Sequence, residues 1–142
     1  MYHNIMDLYG DKGNMMVLSK RCEKRGIECE IVPLEIGQEM DLTEFDLLFL
    51  GGGADREQVL LMEDLLKRKE QIAKAMEQGT FVVLICGGYQ LFGQYYIAAD
   101  GTKIEGLKFF DYYTESGSNY QRCIGNIAIS AQLDDFTTTI IG

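Results

Sequence analysis

The sequence predicts an α/β protein: an open, mostly parallel sheet flanked by helices, with antiparallel strands in its C-terminal part. Three observations carry this. Apolar strand-like runs alternate with segments of helical period through the first two thirds of the chain. Two of those runs end abruptly in glycines, and the last third holds three β-rich runs with no helical segment between them. A length of 142 residues, 46% of them hydrophobic and 25% charged, fits a single ordered domain over 1–142 with one core.

The elements follow in order. Met15, Leu18 and Cys22 recur at helical spacing, predicting a helix from about Asn14 to Arg25 that Gly26 ends in a left-handed turn. Cys29 to Leu34 suits a strand closed by Pro33. After an acidic segment around Glu39 to Glu44, Phe45 to Leu50 is apolar almost throughout, as a strand covered on both faces would be, and it stops at Gly51-Gly52-Gly53. A long helix fits Asp55 to Gln78, starting at Ala54 or Asp55, with Met62, Leu65, Leu66, Ile72, Ala73 and Met76 as its apolar positions and Gly79 past its end.

Phe81 to Ile85 is the next strand. It runs directly into Cys86-Gly87-Gly88 and a helical stretch from Tyr89 to about Tyr95. From Gly106 onward, Phe109–Thr114, Arg122–Gln132 and Phe136–Ile141 are rich in aromatic and β-branched residues, joined by polar turns such as Ser116-Gly117-Ser118-Asn119. They predict an antiparallel meander or an edge extension of the sheet.

Charge narrows the function. Thirteen basic and twenty-two acidic side chains give a net charge of -9, which removes the electrostatic attraction that dominates nucleic-acid binding, so no nucleic-acid partner is expected. No apolar run reaches the roughly 18 residues that span a bilayer, and the start lacks the layout of a signal peptide, so no membrane insertion and a cytoplasmic location are expected. Cys22, Cys29, Cys86 and Cys123 include no C-x-x-C pair and have no neighbouring histidine, which argues against a metal site and for free thiols.

Cys86 is the candidate nucleophile. A cysteine between a strand and a helix, followed by two glycines, sits on an elbow: its side chain projects from a tight turn and small neighbours leave room for a substrate carbonyl. A helix start beside it favours the thiolate. The Gly87 N–H is then aimed where an oxyanion forms, and the Gly51-Gly52-Gly53 loop offers a second donor from Gly52 or Gly53. The plainer alternative is a cysteine buried in a tight turn.

Cys86-Gly87-Gly88-Tyr89-Gln90-Leu91 resembles the nucleophile motif of class I glutamine amidotransferases, of the branch that contains cobyric acid synthase. Leu8-Tyr9-Gly10-Asp11-Lys12-Gly13-Asn14, Gly51-Gly52-Gly53-Ala54-Asp55-Arg56-Glu57-Gln58 and Arg122-Cys123-Ile124-Gly125-Asn126 resemble further family segments, in order along nearly the whole chain. The resemblance implies a class I glutaminase fold, flavodoxin-like in layout, in which Cys86 hydrolyses L-glutamine through a thioester. It further implies that the ammonia passes to a Mur-ligase-like partner that amidates the D-glutamate of lipid II in peptidoglycan synthesis. No cofactor is expected in this subunit, ATP and Mg belonging to the partner. Amidation of cobyrinic acid, or a non-catalytic module that holds glutamine or a partner, are the alternatives.

By the same resemblance Arg122 holds the glutamine, as suits a guanidinium facing an α-carboxylate; the alternative is a solvated strand arginine. Gln90 contacts the substrate near the nucleophile, or caps the helix. Tyr9 to Asn14 lacks the G-x-x-x-x-G-K-[ST] pattern of a phosphate loop, so Asp11 or Asn14 is expected to cap the first helix. Glu63 to Glu70 reads as a solvated helix face. Tyr95, Tyr96, Tyr112 and Tyr113 read as core, or as an interface.

Two departures from the family pattern concern the ends. Only Met1 to Asp7 precede the Leu-Tyr-Gly-Asp motif, short for the family's opening strand, and no histidine follows His3, whereas the family's catalytic histidine lies beyond the region matched by Arg122 to Asn126. The expectation is a domain incomplete at its C-terminus and lacking its first strand. Without a base for proton transfer, worth about 10²- to 10⁴-fold, the 142-residue chain alone is expected to be a poor or inactive glutaminase.

Overall fold

In the computed structural model, which describes residues 1–117, 125–126, 128–133 and 136–141, the elements run α1 (Lys12–Glu23), a 3-10 turn (Leu42–Glu44), β1 (Leu47–Leu50), α2 (Asp55–Lys67), α3 (Lys69–Glu77), β2 (Phe81–Leu84), α4 (Gly87–Phe92), β3 (Tyr95–Ile97), β4 (Lys103–Glu105), β5 (Thr114–Glu115), β6 (Ala128–Leu133) and β7 (Phe136–Ile141). The α/β class holds. β1 and β2 pair in parallel, Leu47 opposite Phe81 and Leu50 opposite Leu84, with α2 and α3 as the crossover between them. β3 lies at the centre of a small mixed sheet, antiparallel to β4 and parallel to β5, and β6 and β7 form an antiparallel hairpin in which Ala128 faces Ile141 and Leu133 faces Phe136.

A single apolar cluster holds the first half together. Leu48 and Leu50 of β1 meet Leu61 and Leu65 of α2, Ile72 of α3, and Leu91 and Phe92 of α4, all buried. A polar network closes one side of it. The Tyr2 hydroxyl donates to Asp64 Oδ2 at 2.6 Å, Arg68 Nε donates to the same oxygen at 2.7 Å, and the Gly37 N–H donates to Asp64 Oδ1 at 3.0 Å.

Several expectations are corrected here. The long helix breaks at Arg68, whose φ of -91° and ψ of -3° separate α2 from α3 while its guanidinium turns back to Asp64 and to Gln38 O at 2.6 Å. Asp64 is therefore buried within a stretch expected to be solvated, and Leu66 is 51% exposed rather than on the apolar stripe. Cys29 to Leu34 forms no strand: Ile31 and Val32 face solvent, and Leu34 O instead accepts from the Tyr2 N–H, while the Met1 amine donates to Phe49 O on the edge of β1. β1 buries Leu48 and Leu50 and leaves Leu47 and Phe49 half-buried, so its two faces are not equally covered.

The helix expected at Tyr89–Tyr95 lies instead at Gly87–Phe92. It ends where Gly93 meets Tyr112 so closely that a side-chain carbon on Gly93 would lie 2.6 Å from that ring. Tyr95 to Ile97 then becomes β3. Within the run expected as a strand over Phe109–Thr114, only Thr114 is in a strand, continued by Glu115, and β5 pairs with β3 in parallel rather than in a meander. Of the turn at Ser116–Asn119, Ser118 and Asn119 lie outside the described residues, as does Arg122–Ile124 of the expected strand Arg122–Gln132.

Candidate active site

β1 and β2 run in the same direction and in register, so their C-terminal ends lie side by side, the usual place for a site in an open α/β sheet. The hydrogen bonds continue past the strands: the Ile85 N–H donates to Leu50 O at 3.0 Å and the Gly88 N–H to Gly51 O at 3.2 Å. The loop after β1 and the turn after β2 are thereby held against each other. Neither glycine loop has room for side chains. A carbon added to Gly88 would lie 2.6 Å from Leu50 O, and one on Gly52 would lie 3.2 Å from Cys86 Cβ.

Cys86 stands at this junction with an exposed side chain. Its φ of 50° and ψ of -111° form a backbone conformation that L-residues rarely adopt, the strained elbow expected of a nucleophile presented at the top of a sheet. The Gly87 N–H opens the first turn of α4 beside it and has no acceptor within its own helix. α4 is only six residues long, so its dipole is small.

The two glycines named as donors from the other loop are distinguished by their surroundings. The Gly52 N–H donates to Asp11 Oδ2 at 2.9 Å, so it is engaged by a carboxylate, whereas the Gly53 carbonyl accepts from Gln58 Nε2 at 3.1 Å. Asp11 does not cap α1 through its side chain as expected. That carboxylate is buried and turned inward, and Asp7 Oδ1 takes the Lys12 N–H at 2.8 Å instead. Gln90 is anchored by its backbone N–H to Cys86 O, at 3.1 Å, and by its Oε1, which accepts from Gln58 Nε2 at 3.1 Å.

Tyr96, on β3, also borders the site. Burial, then hydrogen bonding with Asp55 and the charges of Asp55 and Cys86, push its phenol up to about 12, so it remains a protonated donor across neutral pH. Of the other tyrosines, Tyr95 stacks on Tyr113, which is 60% exposed, and Tyr112 stacks on Tyr89 at 4.1 Å between ring centroids and donates its hydroxyl to Tyr89 O. Tyr95, Tyr112 and Tyr113 thus form a partly exposed stacked surface, whereas Tyr96 packs against the core.

Arg122 and Cys123 lie outside the described residues. His3 Nδ1 is 3.0 Å from Glu35 Oε1. Among the described residues no group of three or more His, Cys, Asp or Glu side chains is placed to hold a metal ion, and no helix is long and apolar enough to cross a membrane.

Comparison with known proteins bears on this geometry. The CobB/CobQ-like glutamine amidotransferase domain matches residues 1–142. The chain belongs to this amidotransferase family. The chain is 41% identical over 145 residues to the Staphylococcus aureus (strain N315) protein named lipid II isoglutaminyl synthase (glutamine-hydrolyzing) subunit GatD, covering 100% of this chain and 58% of that protein. It is 39% identical over 142 residues to the protein of the same name from Streptococcus pneumoniae (strain ATCC BAA-255 / R6), covering 100% and 54%. The chain thus spans a little over half the length of these relatives.

The sequence brings Cys86 and the glycine loops to notice, reads Tyr96 only as core or interface, gives Gln58 no role, and gives Asp11 a capping side chain that it does not use. For Gln58 a signal was present. It falls three and four residues before Leu61 and Met62, on the buried stripe of α2, where a polar residue needs a reason.

Proposed function

We propose that this chain supplies the nucleophile of a glutaminase. Cys86 Sγ, as a thiolate, attacks the side-chain amide carbon of L-glutamine, and the carbonyl π electrons move onto oxygen to give a tetrahedral oxyanion. The Gly87 N–H and an N–H of the Gly52–Gly53 segment receive that charge. The oxyanion collapses, the C–N bond breaks and the nitrogen leaves as ammonia with one added proton, leaving a γ-glutamyl thioester on Cys86. Water then attacks the thioester, the C–S bond breaks, and glutamate leaves with the Cys86 thiol restored.

The observation that carries the reading is the strained elbow of Cys86 against the glycine loop of the neighbouring parallel strand, in a chain of this family. Arg122 is assigned the α-carboxylate of the glutamine and Gln90 a place at the substrate's edge. The proton carried to the leaving nitrogen needs a base besides Cys86. The name of the two relatives, subunit of lipid II isoglutaminyl synthase, supports lipid II as the acceptor and a second subunit as the partner; the motif resemblance implies that this partner is Mur-ligase-like and that its ATP- and Mg-dependent step amidates the D-glutamate.

The test is glutamine-dependent amidation by the protein together with that ligase partner, following ammonia, glutamate and the amidated lipid II by mass spectrometry. Cys86→Ser should lower glutamate formation by about 10³-fold or more while leaving amidation from added ammonium salts intact. Undiminished glutamate formation by Cys86→Ser would overturn the reading.

A further inference from the structure

Gln58 occupies an unusual position for an amide. Its side chain is 1% exposed, on the inward stripe of α2, directly beneath the junction of the two glycine turns. Both hydrogens of its Nε2 are used, one on Gly53 O at 3.1 Å and one on Gln90 Oε1 at 3.1 Å. One amide therefore ties the loop after β1 to the first turns of α4.

The same amide fills the space beside Gly87. A side-chain carbon on Gly87 would lie 2.9 Å from Gln58 Nε2 and 3.0 Å from Gly53 O, so the Gly87 backbone rests directly against the Gln58 amide and the Gly53 carbonyl. These three groups set the separation between the peptide at Gly53 and the peptide at Gly87. Gln58 Oε1 is buried and has no hydrogen-bond partner among the described residues. Burying an amide with an unpaired oxygen is costly, and an apolar side chain of similar length would fill the stripe without that cost. The two donated bonds are what an apolar residue could not supply.

We propose that Gln58 is a positioning residue for the oxyanion donors: its amide holds the Gly53 and Gly87 peptides at the spacing that lets both face one substrate oxygen. This rests on the glutaminase reading above. Gln58 touches neither Cys86 Sγ nor the substrate in this role; it acts through the two loops it joins.

Two reactions of Cys86 separate this role from a merely structural one. Alkylation by iodoacetamide needs only the thiolate. Modification by the diazoketone analogue of L-glutamine also needs the analogue's carbonyl oxygen seated among the donors. Gln58→Glu replaces the donating NH2 by an oxygen that faces two acceptors, and Gln58→Met keeps the length while removing both bonds. Both variants should lose about 10- to 100-fold in the rate of modification by the diazoketone, less than the loss of a whole oxyanion donor at its upper limit, with iodoacetamide alkylation within about twofold of the unsubstituted protein.

Gln90→Ala, which removes one of the two acceptors and leaves the Gly53 bond, should lose less than either. Unchanged diazoketone rates in both Gln58 variants, or rates for the two reagents that fall together, would overturn the proposal. If the unsubstituted protein shows no glutamine-protectable reaction with the diazoketone, the glutaminase reading itself fails, and that result is distinct from the other two.

Discussion

Asp11 and Gly52 are joined by a hydrogen bond in which the Gly52 N–H donates to Asp11 Oδ2 at 2.9 Å, beside Cys86. The carboxylate oxygen lies 3.5 Å, and Cys86 Sγ 3.7 Å, from the point a Gly52 side-chain carbon would occupy. A buried carboxylate that holds this N–H keeps one backbone donor away from a substrate oxygen. Asp11→Asn retains an acceptor for the Gly52 N–H and removes the charge. It should cost less in urea unfolding than Asp11→Ala, which strands the buried Gly52 N–H and should cost about 1–3 kcal/mol. Equal losses of stability in the two variants would show that the Asp11–Gly52 bond does not hold the loop.

Gly88 tests the packing of the elbow. A methyl group there meets Leu50 O at 2.6 Å and Gly51 O at 2.9 Å, two backbone atoms with little freedom to move. Gly88→Ala should destabilise the protein by about 1–3 kcal/mol in urea unfolding and slow the diazoketone reaction of Cys86. Gly13→Ala, within α1 and with nothing within 4 Å of the added carbon, is the control: it should neither destabilise the protein nor slow the reaction.

The Tyr2–Asp64–Arg68 network gives stability a pH dependence. Burial alone would raise the Asp64 carboxyl, but the hydrogen bonds from Arg68, Tyr2 and the Gly37 N–H outweigh it and hold the carboxyl below its ordinary value. A depressed folded value means that the unfolded chain binds the proton more readily. The contribution is therefore complete above the unfolded carboxylate value of about 3.9 and is lost as pH falls through the folded one. Urea unfolding should show a steeper loss below about pH 4 in the unsubstituted protein than in Asp64→Asn. At neutral pH Asp64→Ala should cost about 3 kcal/mol, because it strands a nearly buried Arg68. Equal pH profiles for the unsubstituted protein and Asp64→Asn would contradict the assignment.

Much of this arrangement was legible in the sequence because local chemistry decides it. Apolar runs ending in glycine placed β1, β2 and the elbow, and the Ala54 or Asp55 start of α2 needed only the adjoining periodicity. What was not legible depends on partners distant in sequence. Cys29 to Leu34 has the composition of a strand, yet Tyr2 takes the Leu34 carbonyl and Met1 the edge of β1. Asp11 has the type and position of a helix cap, and its inward turn toward Gly52 is a tertiary choice that propensity does not contain. The break at Arg68 likewise follows from Asp64 and Gln38, not from any residue that disfavours helix.

The central claim is that Cys86 is the thiol that meets the glutamine carbonyl, and the site of covalent labelling tests it most directly. The protein is treated with the diazoketone analogue of L-glutamine, with and without excess L-glutamine, and each cysteine-bearing peptide is analysed by tandem mass spectrometry. The predicted result is a single adduct on Cys86, suppressed by L-glutamine and absent in Cys86→Ser. An adduct spread over Cys22 and Cys29, or one on Cys86 that L-glutamine does not suppress, would contradict it.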